Sequence, residues 1–201
     1  MQSYNPNNRV IFRPADPILR TTPFDDANFF FQLKHDGFNA LARISGGVCK
    51  LESRRGNVYK SYAELCGKMA TIGRDVALDG EIVVLDSDGR SLFYQLMRRR
   101  GTPVFYAFDY LTLDGIDLRK LSLIERKRRL EQLVNKTPGV LYAQHTDGAF
   151  GRRFFDEICA RDLEGVVTKR RDGGYGEDWF KIRNPRYSQR EGRGELLERK
   201  R

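Results

Sequence analysis

The stretch FFFQLKHDGFNALAR, residues 29–43, consists of two apolar runs separated by Lys34, His35, Asp36 and Gly37. Aromatic and aliphatic residues fill both runs, as is typical of β-strands, and the Asp-Gly pair between them predicts a tight turn. The simplest interpretation is a hairpin with a solvated lysine at its corner. The alternative is a nucleophilic lysine held rigidly beside a ligand pocket, and the rest of the chain has to distinguish the two.

The composition is that of a basic protein. Among 201 residues, 36 Lys and Arg side chains stand against 27 Asp and Glu side chains, which gives a net charge of +9. This excess favours a polyanionic partner through counterion release, although a merely soluble basic protein has the same composition. The length suffices for one large domain or two small ones with a sizeable core.

Several classes of protein are disfavoured by the sequence. No run approaches the ~20 consecutive apolar residues of a membrane span, and the N-terminal MQSYNPNNRV has no signal-peptide pattern. We therefore expect a cytoplasmic protein without membrane contact. The three cysteines and two histidines do not have the spacing of zinc ligands, and a disulfide framework is not expected either.

Periodicity along the chain predicts an α+β fold with antiparallel sheets. Pro and Asn without periodicity indicate an N-terminal arm over 1–27, and many charges indicate a C-terminal tail over 187–201. Strands are predicted over 28–34, 38–44, 48–53, 76–86, 103–113, 163–170 and 178–184. Helices are predicted over 61–72 with Ser61 as N-cap, 91–100, 122–134 with a basic outer face, and 149–161.

Charged residues inside the apolar strands need a partner, because burying an unpaired charge is costly. They are Lys34, Glu81, Asp109, Glu164, Lys181 and Arg183. Taken singly, each is explained by a salt bridge at a strand end. Together they favour a cleft lined by carboxylates and cations, which suits a metal-bound polyphosphate.

Six short motifs in a fixed order resemble those of the ATP-dependent DNA ligase family. Lys34-His35-Asp36-Gly37 resembles the K-x-D-G nucleotidyltransferase motif. The others are SRRG (53–56), LDGEIVVLD (78–86), FYAFDYL (105–111), LEGVVTKR (163–170) and WFKIRN (179–184). The resemblance implies a nucleotidyltransferase (adenylation) domain over 28–186, with antiparallel sheets and flanking helices around a nucleotide cleft.

The resemblance also implies the chemistry. Lys34 would attack the α-phosphate of ATP, with Mg²⁺ or Mn²⁺ as the metal, and form lysyl-AMP. The AMP would then pass to the 5′-phosphate of nicked double-stranded DNA. Attack requires a neutral amine, which Lys181, Arg183 and the metal would favour. Asp36, Glu164 and Lys181 are implied as catalytic residues beside Lys34.

Further positions match binding residues of the family. By this match Gln32 would contact the adenine amino group and Phe108 would stack on adenine. Glu81 would bind the ribose and Arg54 a phosphate. Asn39 and Arg183 are further nucleotide-binding positions. Glu164 and Asp109 are the implied metal ligands. For Phe108 simple core packing is the alternative, and Gln32 has the alternative of an ordinary strand residue.

The sequence departs from the family at three places. The last motif has Arg183 where lysine is usual, a milder change because the charge is kept. Asn39 stands where the first motif usually has arginine, which weakens a ribose or nick-phosphate contact. Arg43, four residues on along the same strand face, is a candidate substitute. Too few residues follow Asn184 for the oligonucleotide-binding barrel that follows this domain in full-length ligases. Either a separate DNA-clamping protein supplies the functions of the barrel as a further partner, or this chain performs them weakly or not at all.

Three other functions remain compatible with the motifs. An RNA ligase or a capping-type guanylyltransferase shares the K-x-D-G core. A non-catalytic, ATP-gated DNA-binding module is favoured by Asn39 and by the missing barrel. Lys34, Glu81, Glu164 and Lys181 favour a nucleotidyltransferase instead.

Overall fold

A computed structural model describes residues 14–190, which form two β-sheets and four α-helices. In chain order the strands are β1 (Ile18–Leu19), β2 (Phe29–Leu33), β3 (Phe38–Ser45), β4 (Val48–Glu52), β5 (Val76–Val83), β6 (Val104–Leu113), β7 (Ile116–Asp117), β8 (Val140–Tyr142), β9 (Thr146–Asp147), β10 (Gly165–Arg170) and β11 (Trp179–Arg183). The helices are α1 (Ala63–Ala70), α2 (Phe93–Met97), α3 (Leu123–Val134) and α4 (Gly151–Ala160).

Both sheets are mainly antiparallel. The first has the strand order β1-β11-β10-β2-β9, and the second has the order β4-β3-β5-β6-β7, with β8 paired to β6. Among the described strands, the parallel pairs are β1 with β11 and β6 with β8. The predicted α+β class with antiparallel sheets and flanking helices is confirmed.

The segment 34–37 crosses from one sheet to the other, so the predicted hairpin is wrong. β2 pairs with β10 and β9, whereas β3 pairs with β4 and β5. Gly37 permits a close approach, since a Cβ at this residue would lie 2.3 Å from the carbonyl oxygen of Ile82. The Gly37 N–H donates to Glu81 Oε1 at 3.0 Å. The crossover therefore places Lys34 at the junction of the two sheets.

Each sheet has its own hydrophobic core. The larger core packs α1 and α3 on the second sheet through residues such as Met69, Leu78 and Leu130. The smaller core packs α4 on the first sheet through residues such as Phe31 and Phe155. Two separate cores leave room for a cleft between the sheets.

The sequence predicted the start of α3 correctly and the start of α1 wrongly. At α3 the Ser122 hydroxyl accepts from the Glu125 N–H at 3.4 Å, which confirms the predicted helix start. At α1 the predicted cap at Ser61 is wrong, because Lys60–Tyr62 forms a 3₁₀ turn and Tyr62 precedes the helix. Within residues 14–190, no helix has the length and apolar character needed to cross a bilayer.

The described parts of the predicted arm and tail belong to the folded domain. β1 pairs with β11, and Phe24 is buried in the smaller core. At the other end, the buried Tyr187 hydroxyl donates to Asp36 Oδ2 at 3.1 Å. The remainder of the arm, 1–13, and of the tail, 191–201, lies outside the described residues.

Candidate active site

A cleft of about 240 Å³ lies between the two sheets and is lined by residues of both. Eight residues predicted from the sequence line it: Gln32, Lys34, Asn39, Arg54, Glu81, Phe108, Lys181 and Arg183. The strands β2, β3, β4, β5, β6 and β11, or the segments beside them, supply these side chains. The fold thus brings together residues that are widely separated along the chain.

Lys34 follows β2 directly and forms an ion pair at the cleft. Its Nζ lies 2.8 Å from Glu164 Oε1, and the two side chains are 20% and 11% exposed. The Lys34 N–H donates to the Gly165 carbonyl at 2.9 Å, which fixes β2 beside the start of β10. The backbone register therefore determines that Lys34 and Glu164 meet.

Glu81 lies on β5 opposite Asn39 on β3. Burial raises the pKa of Glu81 to about 7; Lys34 opposes this rise, and Glu164 and Asp36 add to it. The Gly37 N–H, which donates to Glu81 Oε1, stabilises the ionised form. This carboxyl is placed to accept hydrogen bonds from a ligand in the cleft.

Replacing Glu81 with glutamine is expected to stabilise the protein by about 1–3 kcal/mol at about pH 8, since each unit of pKa shift corresponds to about 1.36 kcal/mol. The folded-state pKa of Glu81 lies above the ordinary value of 4.5. A carboxyl whose pKa is raised in the folded state lowers the free energy of unfolding as pH rises from its ordinary pKa through its folded-state pKa. The stability gained by the glutamine variant should therefore vanish near pH 4. Urea unfolding at both pH values measures the difference. Equal gains at both values would show that the charge of Glu81 is not the cause.

Aromatic rings and a buried lysine form one wall of the cleft. The Phe108 ring centre lies 4.5 Å from Lys169 Nζ, and the Trp179 ring centre lies 3.8 Å from the same atom. Both distances are typical of cation–π contacts. Burial lowers the pKa of Lys169 to about 8, although Asp109 and Asp79 oppose the change. Phe108 is half-buried and open to the cleft, as stacking on a base requires.

Three buried oxygens at or beside the cleft have no hydrogen-bond partner within the described chain: Gln32 Oε1, Asn39 Oδ1 and Glu164 Oε2. The amide nitrogens are engaged, because Gln32 Nε2 donates to the Ala143 carbonyl at 3.0 Å and Asn39 Nδ2 donates to the Gly80 carbonyl at 3.2 Å. Buried polar atoms nearly always have a partner. All three atoms are acceptors, so they complement a ligand that presents donors or a cation. Trp179 Nε1, a donor of another residue that lines the cleft, also has no partner within residues 14–190.

Arg54, Lys181 and Arg183 give the cleft positive charge. Lys181 Nζ lies 3.0 Å from Asp16 Oδ1, and Arg54 Nη1 lies 3.3 Å from the same oxygen. The hydrogen bond from Lys181, together with the charge of Arg54, lowers the pKa of Asp16. A phosphate entering the cleft would compete with Asp16 for both cations.

Asp36 does not line the cleft, in contrast to its predicted catalytic role. The side chain is buried and accepts from the Tyr187 hydroxyl. The Asp36 N–H donates to Ser91 Oγ at 3.1 Å, and His35 Nδ1 lies 2.9 Å from the same oxygen. These contacts anchor the crossover that presents Lys34 at the cleft.

Asp109, predicted as a metal ligand, is fully buried and paired with cations of the protein. It forms a two-bond ion pair with Arg126, with Oδ1 to Nε at 2.7 Å and Oδ2 to Nη2 at 3.2 Å. Lys169 Nζ lies 4.0 Å from Oδ2. Cations of the protein therefore balance the charge of this carboxylate.

Arg43 does not replace the arginine that is missing at position 39. Its Nε pairs with Glu52 Oε2 at 2.8 Å, and its side chain does not line the cleft. Asn39 and Arg43 both lie on β3, but the pairing with β4 holds Arg43 beside Glu52. Arg43 therefore remains outside the candidate site.

The sequence analysis missed Asp16, Lys169 and Trp179, which all line the cleft. Asp16 lay in the predicted arm, where no pattern marked it. Lys169 could have been found, because alternate residues of a strand share a face and Val167 pairs with Gln32. The signal was therefore present in LEGVVTKR for one of the three.

The residues fit a metal ion that arrives with a nucleotide. In the part of the chain that the structure describes, no group of three His, Cys, Asp or Glu residues could hold a metal. Glu164 offers one buried oxygen without a partner. Mg²⁺ is commonly bound through one or two carboxylates together with substrate phosphates and water. The site fits that mode and does not fit a metal cage built from protein ligands alone.

The family model described as "ATP dependent DNA ligase domain" matches residues 15–183. The chain belongs to the ATP-dependent DNA ligase family. The match corresponds to the adenylation domain, as the motifs implied, and begins at residue 15, within the predicted arm. It therefore includes Asp16 and β1 in the ligase domain.

Relatives at 30% identity or more include multidomain repair proteins. The multifunctional non-homologous end joining protein LigD of Pseudomonas aeruginosa is 33% identical over 165 residues, which are 76% of this chain and 20% of that protein. The LigD DNA repair protein of Mycobacterium tuberculosis is 38% identical over 151 residues, 72% of this chain and 19% of that protein. The SPbeta prophage-derived DNA ligase-like protein LigB of Bacillus subtilis is 30% identical over 179 residues, 83% of this chain and 65% of that protein. The ligase chain thus spans about a fifth of these LigD proteins.

Solved ligase structures share the fold. A mycobacterial DNA ligase D complexed with ATP and MES has a TM-score of 0.72 at 31% identity, covering 85% of this chain and 60% of that one. An archaeal ATP-dependent RNA ligase has a TM-score of 0.59 at 16% identity, covering 88% of this chain and 50% of that one, which shows the fold alone. The predicted nucleotidyltransferase fold is confirmed, and the chain is homologous to ATP-binding ligase domains.

Proposed function

We propose that this ligase chain forms a covalent lysyl-AMP at Lys34 and transfers the AMP to the 5′-phosphate of nicked double-stranded DNA for repair. The observation that carries the proposal is the set of three unpartnered acceptor oxygens near Lys34, beside the cations Arg54 and Lys181. Adenosine presents hydrogen-bond donors, and a triphosphate requires positive charge. The cleft provides for both ends of ATP.

Adenosine would be held by four side chains. Gln32 Oε1 accepts from the adenine amino group, and Phe108 stacks on the ring. Glu81 and Asn39 Oδ1 accept from the ribose hydroxyls. Each of these contacts satisfies a polar atom or an open ring face that the cleft already presents.

The first step joins Lys34 to AMP. The neutral Nζ attacks the α-phosphorus, an N–P bond forms, the P–O bond to pyrophosphate breaks, and the nitrogen loses a proton. The ion pair with Glu164 is made by the ammonium form, so it opens before the attack. Lys181 and Arg183 neutralise phosphate charge during the displacement.

Glu164 would hold Mg²⁺, or Mn²⁺, through Oε2. When bound, the ion supplies charge neutralisation and orientation of the phosphates. Glu164 would then interact with both the cation and Lys34.

The second step transfers AMP to DNA. A net charge of +9 supports contact with DNA phosphates, with an affinity that falls steeply as salt increases. The proposal includes a separate DNA-clamping protein as a partner. AMP leaves Lys34 for the 5′-phosphate, and the 3′-hydroxyl of the nick then displaces AMP.

Intact-mass measurement after incubation with ATP and Mg²⁺ tests the proposal. We expect a mass increase of one AMP that acid removes, as for a phosphoramidate. Parallel incubation with GTP distinguishes a capping-type enzyme, which would attach GMP, from a ligase, which attaches AMP. A comparison of nicked DNA with nicked RNA as the substrate distinguishes a DNA ligase from an RNA ligase. No adduct, combined with ATP-dependent DNA binding, would instead favour a non-catalytic ATP-gated module.

Replacing Asn39 with arginine is expected to raise the sealing of pre-adenylated nicked DNA about tenfold, since a charge-assisted hydrogen bond contributes about 1.5–3 kcal/mol. Asn39 faces the cleft opposite Glu81, which would orient the new guanidinium. Single-turnover sealing of the adenylated nick measures the effect. Asn39→Met, which has similar reach without charge, is the matched control and should not gain activity. If neither variant changes the rate, position 39 does not contact the nick.

A further inference from the structure

We propose that Asp16 competes with the phosphates of the nucleotide for Lys181 and Arg54, and pairs with these cations again when pyrophosphate leaves the cleft. The inference rests on the proposed function, because pyrophosphate is the product released as lysyl-AMP forms. Asp16 lines the cleft but belongs to none of the six motifs. It would weaken the binding of triphosphate and of pyrophosphate, and so slow the reversal of adenylation.

One oxygen of Asp16 joins the two sheets at the cleft. Asp16 Oδ1 accepts from Lys181 Nζ at 3.0 Å, and Arg54 Nη1 lies 3.3 Å from the same oxygen. Lys181 is on β11 of the first sheet, whereas Arg54 lies in the turn after β4 of the second. The hydrogen bond from Lys181 lowers the pKa of Asp16, so the side chain is an anion at neutral pH. An anionic oxygen between these two cations is the arrangement that a phosphate oxygen would also adopt.

The backbone on both sides of Asp16 is held in place. The Ala15 N–H donates to the Tyr175 hydroxyl at 2.9 Å, and that hydroxyl donates to Asp79, which is fully buried. On the other side β1 pairs in parallel with β11, the strand of Lys181. A group tethered beside its partner acts at an effective concentration on the order of millimolar or more. Asp16 therefore returns to the same two cations when a competing phosphate leaves.

The contacts of Asp16 are weak enough to yield to a polyphosphate. The side chains of Asp16, Arg54 and Lys181 are 61%, 48% and 20% exposed. Exposed ion pairs contribute little to stability. A carboxylate carries one negative charge, whereas a triphosphate or pyrophosphate carries several and is accompanied by a metal ion. Adenosine has no anion with which to displace Asp16, so the competition concerns only ligands with phosphate groups.

Competition of this kind affects the two directions of the first step unequally. In the reversal an oxygen of pyrophosphate attacks the phosphorus of lysyl-AMP, a P–O bond forms, the N–P bond breaks, and the lysine nitrogen takes up a proton. Asp16 raises the concentrations of ATP and of pyrophosphate that half-saturate the cleft by a common factor, so the overall equilibrium constant does not change. Where ATP is saturating and pyrophosphate is not, only the reverse reaction is slowed.

Equilibrium binding of α,β-methylene-ATP with Mg²⁺ to the whole chain tests the competition. In this analogue a carbon atom replaces the oxygen at which ATP is cleaved, so it binds without forming lysyl-AMP. We expect Asp16→Asn to bind the analogue about fivefold more tightly than the wild type, because two exposed ion pairs no longer oppose binding. Adenosine should bind to both proteins equally. Asp172→Asn is the matched control, since it removes another exposed aspartate that is paired with an arginine, Arg170, outside the cleft, and it should leave both affinities unchanged.

Two further variants separate competition from simple charge repulsion. Asp16→Glu keeps the carboxylate and should bind the analogue nearly as the wild type does. In an Arg54→Met background one of the two partners of Asp16 is absent, so adding Asp16→Asn should tighten binding by only about twofold. Repulsion between Asp16 and the phosphates would give the full gain in both backgrounds. Thermal unfolding confirms that each variant is folded.

The reverse reaction tests the second half of the inference. Protein that carries lysyl-AMP is mixed with pyrophosphate and Mg²⁺, and the ATP that forms is measured. Asp16→Asn should reach half of its maximum rate at about one fifth of the pyrophosphate concentration that the wild type needs. The maximum rate should not change, because Asp16 has already been displaced when pyrophosphate is bound.

Unchanged or weaker binding of the analogue by Asp16→Asn would overturn the inference, and weaker binding would show that Asp16 orders the two cations instead. An undiminished gain in the Arg54→Met background, or an unchanged half-saturation by pyrophosphate, would overturn it as well. A gain in analogue binding without any AMP attachment from ATP would remove the proposed function and retain the competition for phosphate. AMP attachment and analogue binding that are indifferent to residue 16 would remove the inference alone.

Discussion

Replacing Lys34 with alanine is expected to abolish covalent AMP attachment while leaving the fold intact. The variant lacks the nitrogen that bonds to phosphorus, and loss of a nucleophile typically lowers a rate by about four orders of magnitude or more. The Lys34 side chain is 20% exposed and is part of no hydrophobic core, so the loss of packing is small. Loss of the partly exposed ion pair to Glu164 should cost about 1–2 kcal/mol of stability.

Intact-mass spectrometry with ATP and Mg²⁺ measures the adduct, and urea unfolding measures the stability. Lys68→Ala is the matched control, since it removes another lysine that is ion-paired to a glutamate, Glu64, on the exposed face of α1. This control should be adenylated like the wild type. Acid-labile AMP on Lys34→Ala at wild-type levels would show that another residue is the nucleophile, with Lys181 the next candidate in the cleft.

Local sequence signals predicted those helices and strands that are determined by contacts between neighbouring residues. α3 begins where Ser122 caps it, because the capping contact spans only three residues. The motif strands β5, β6, β10 and β11 also lie where their apolar runs predicted them. The residues on these strands then reach one cleft because alternation along a strand determines which side chains share a face.

Contacts between distant segments were not predictable in the same way. The Asp-Gly pair after Lys34 has the composition of a hairpin turn, yet β2 pairs with β10 from near the other end of the chain. Nothing within residues 29–43 distinguishes a hairpin from a crossover. The crossover depends on a contact with a distant segment, because the Ile82 carbonyl approaches Gly37 more closely than a Cβ would allow. No local pattern in the sequence reveals this contact.

The basic face predicted for α3 was also only partly right. Arg128 is exposed, but Arg126 and Lys127 are buried and Ile124 is 47% exposed. The helical period predicts that charged residues face solvent, and this fails where the fold supplies buried partners for them. Here Asp109 and the Ala143 carbonyl are those partners, and both lie on other elements.

Replacing Arg126 with methionine is expected to destabilise the protein by about 3–5 kcal/mol, because the substitution leaves the buried carboxylate of Asp109 without its principal partner. Both side chains of this ion pair are 0% exposed. Arg126 Nη1 also donates to the Gly173 carbonyl at 3.2 Å, so the loss extends to the loop before β11. Urea unfolding measures the cost. Arg128→Met, on the exposed face of the same helix, should change the stability by less than about 1 kcal/mol.

The partner substitution decides whether Asp109 has any role with a metal. If Asp109 serves only the ion pair, Asp109→Asn is strongly destabilising. Asp109→Asn with Arg126→Met should cost less than the sum of the two single variants, since the double variant removes both charges of the pair. Adenylation by the folded fraction should then keep its wild-type dependence on Mg²⁺. A metal ligand would behave in the opposite way, because Asp109→Asn would shift the Mg²⁺ dependence and leave the unfolding curve nearly unchanged. The full burial of Asp109 between Arg126 and Lys169 is the reason to expect the first result.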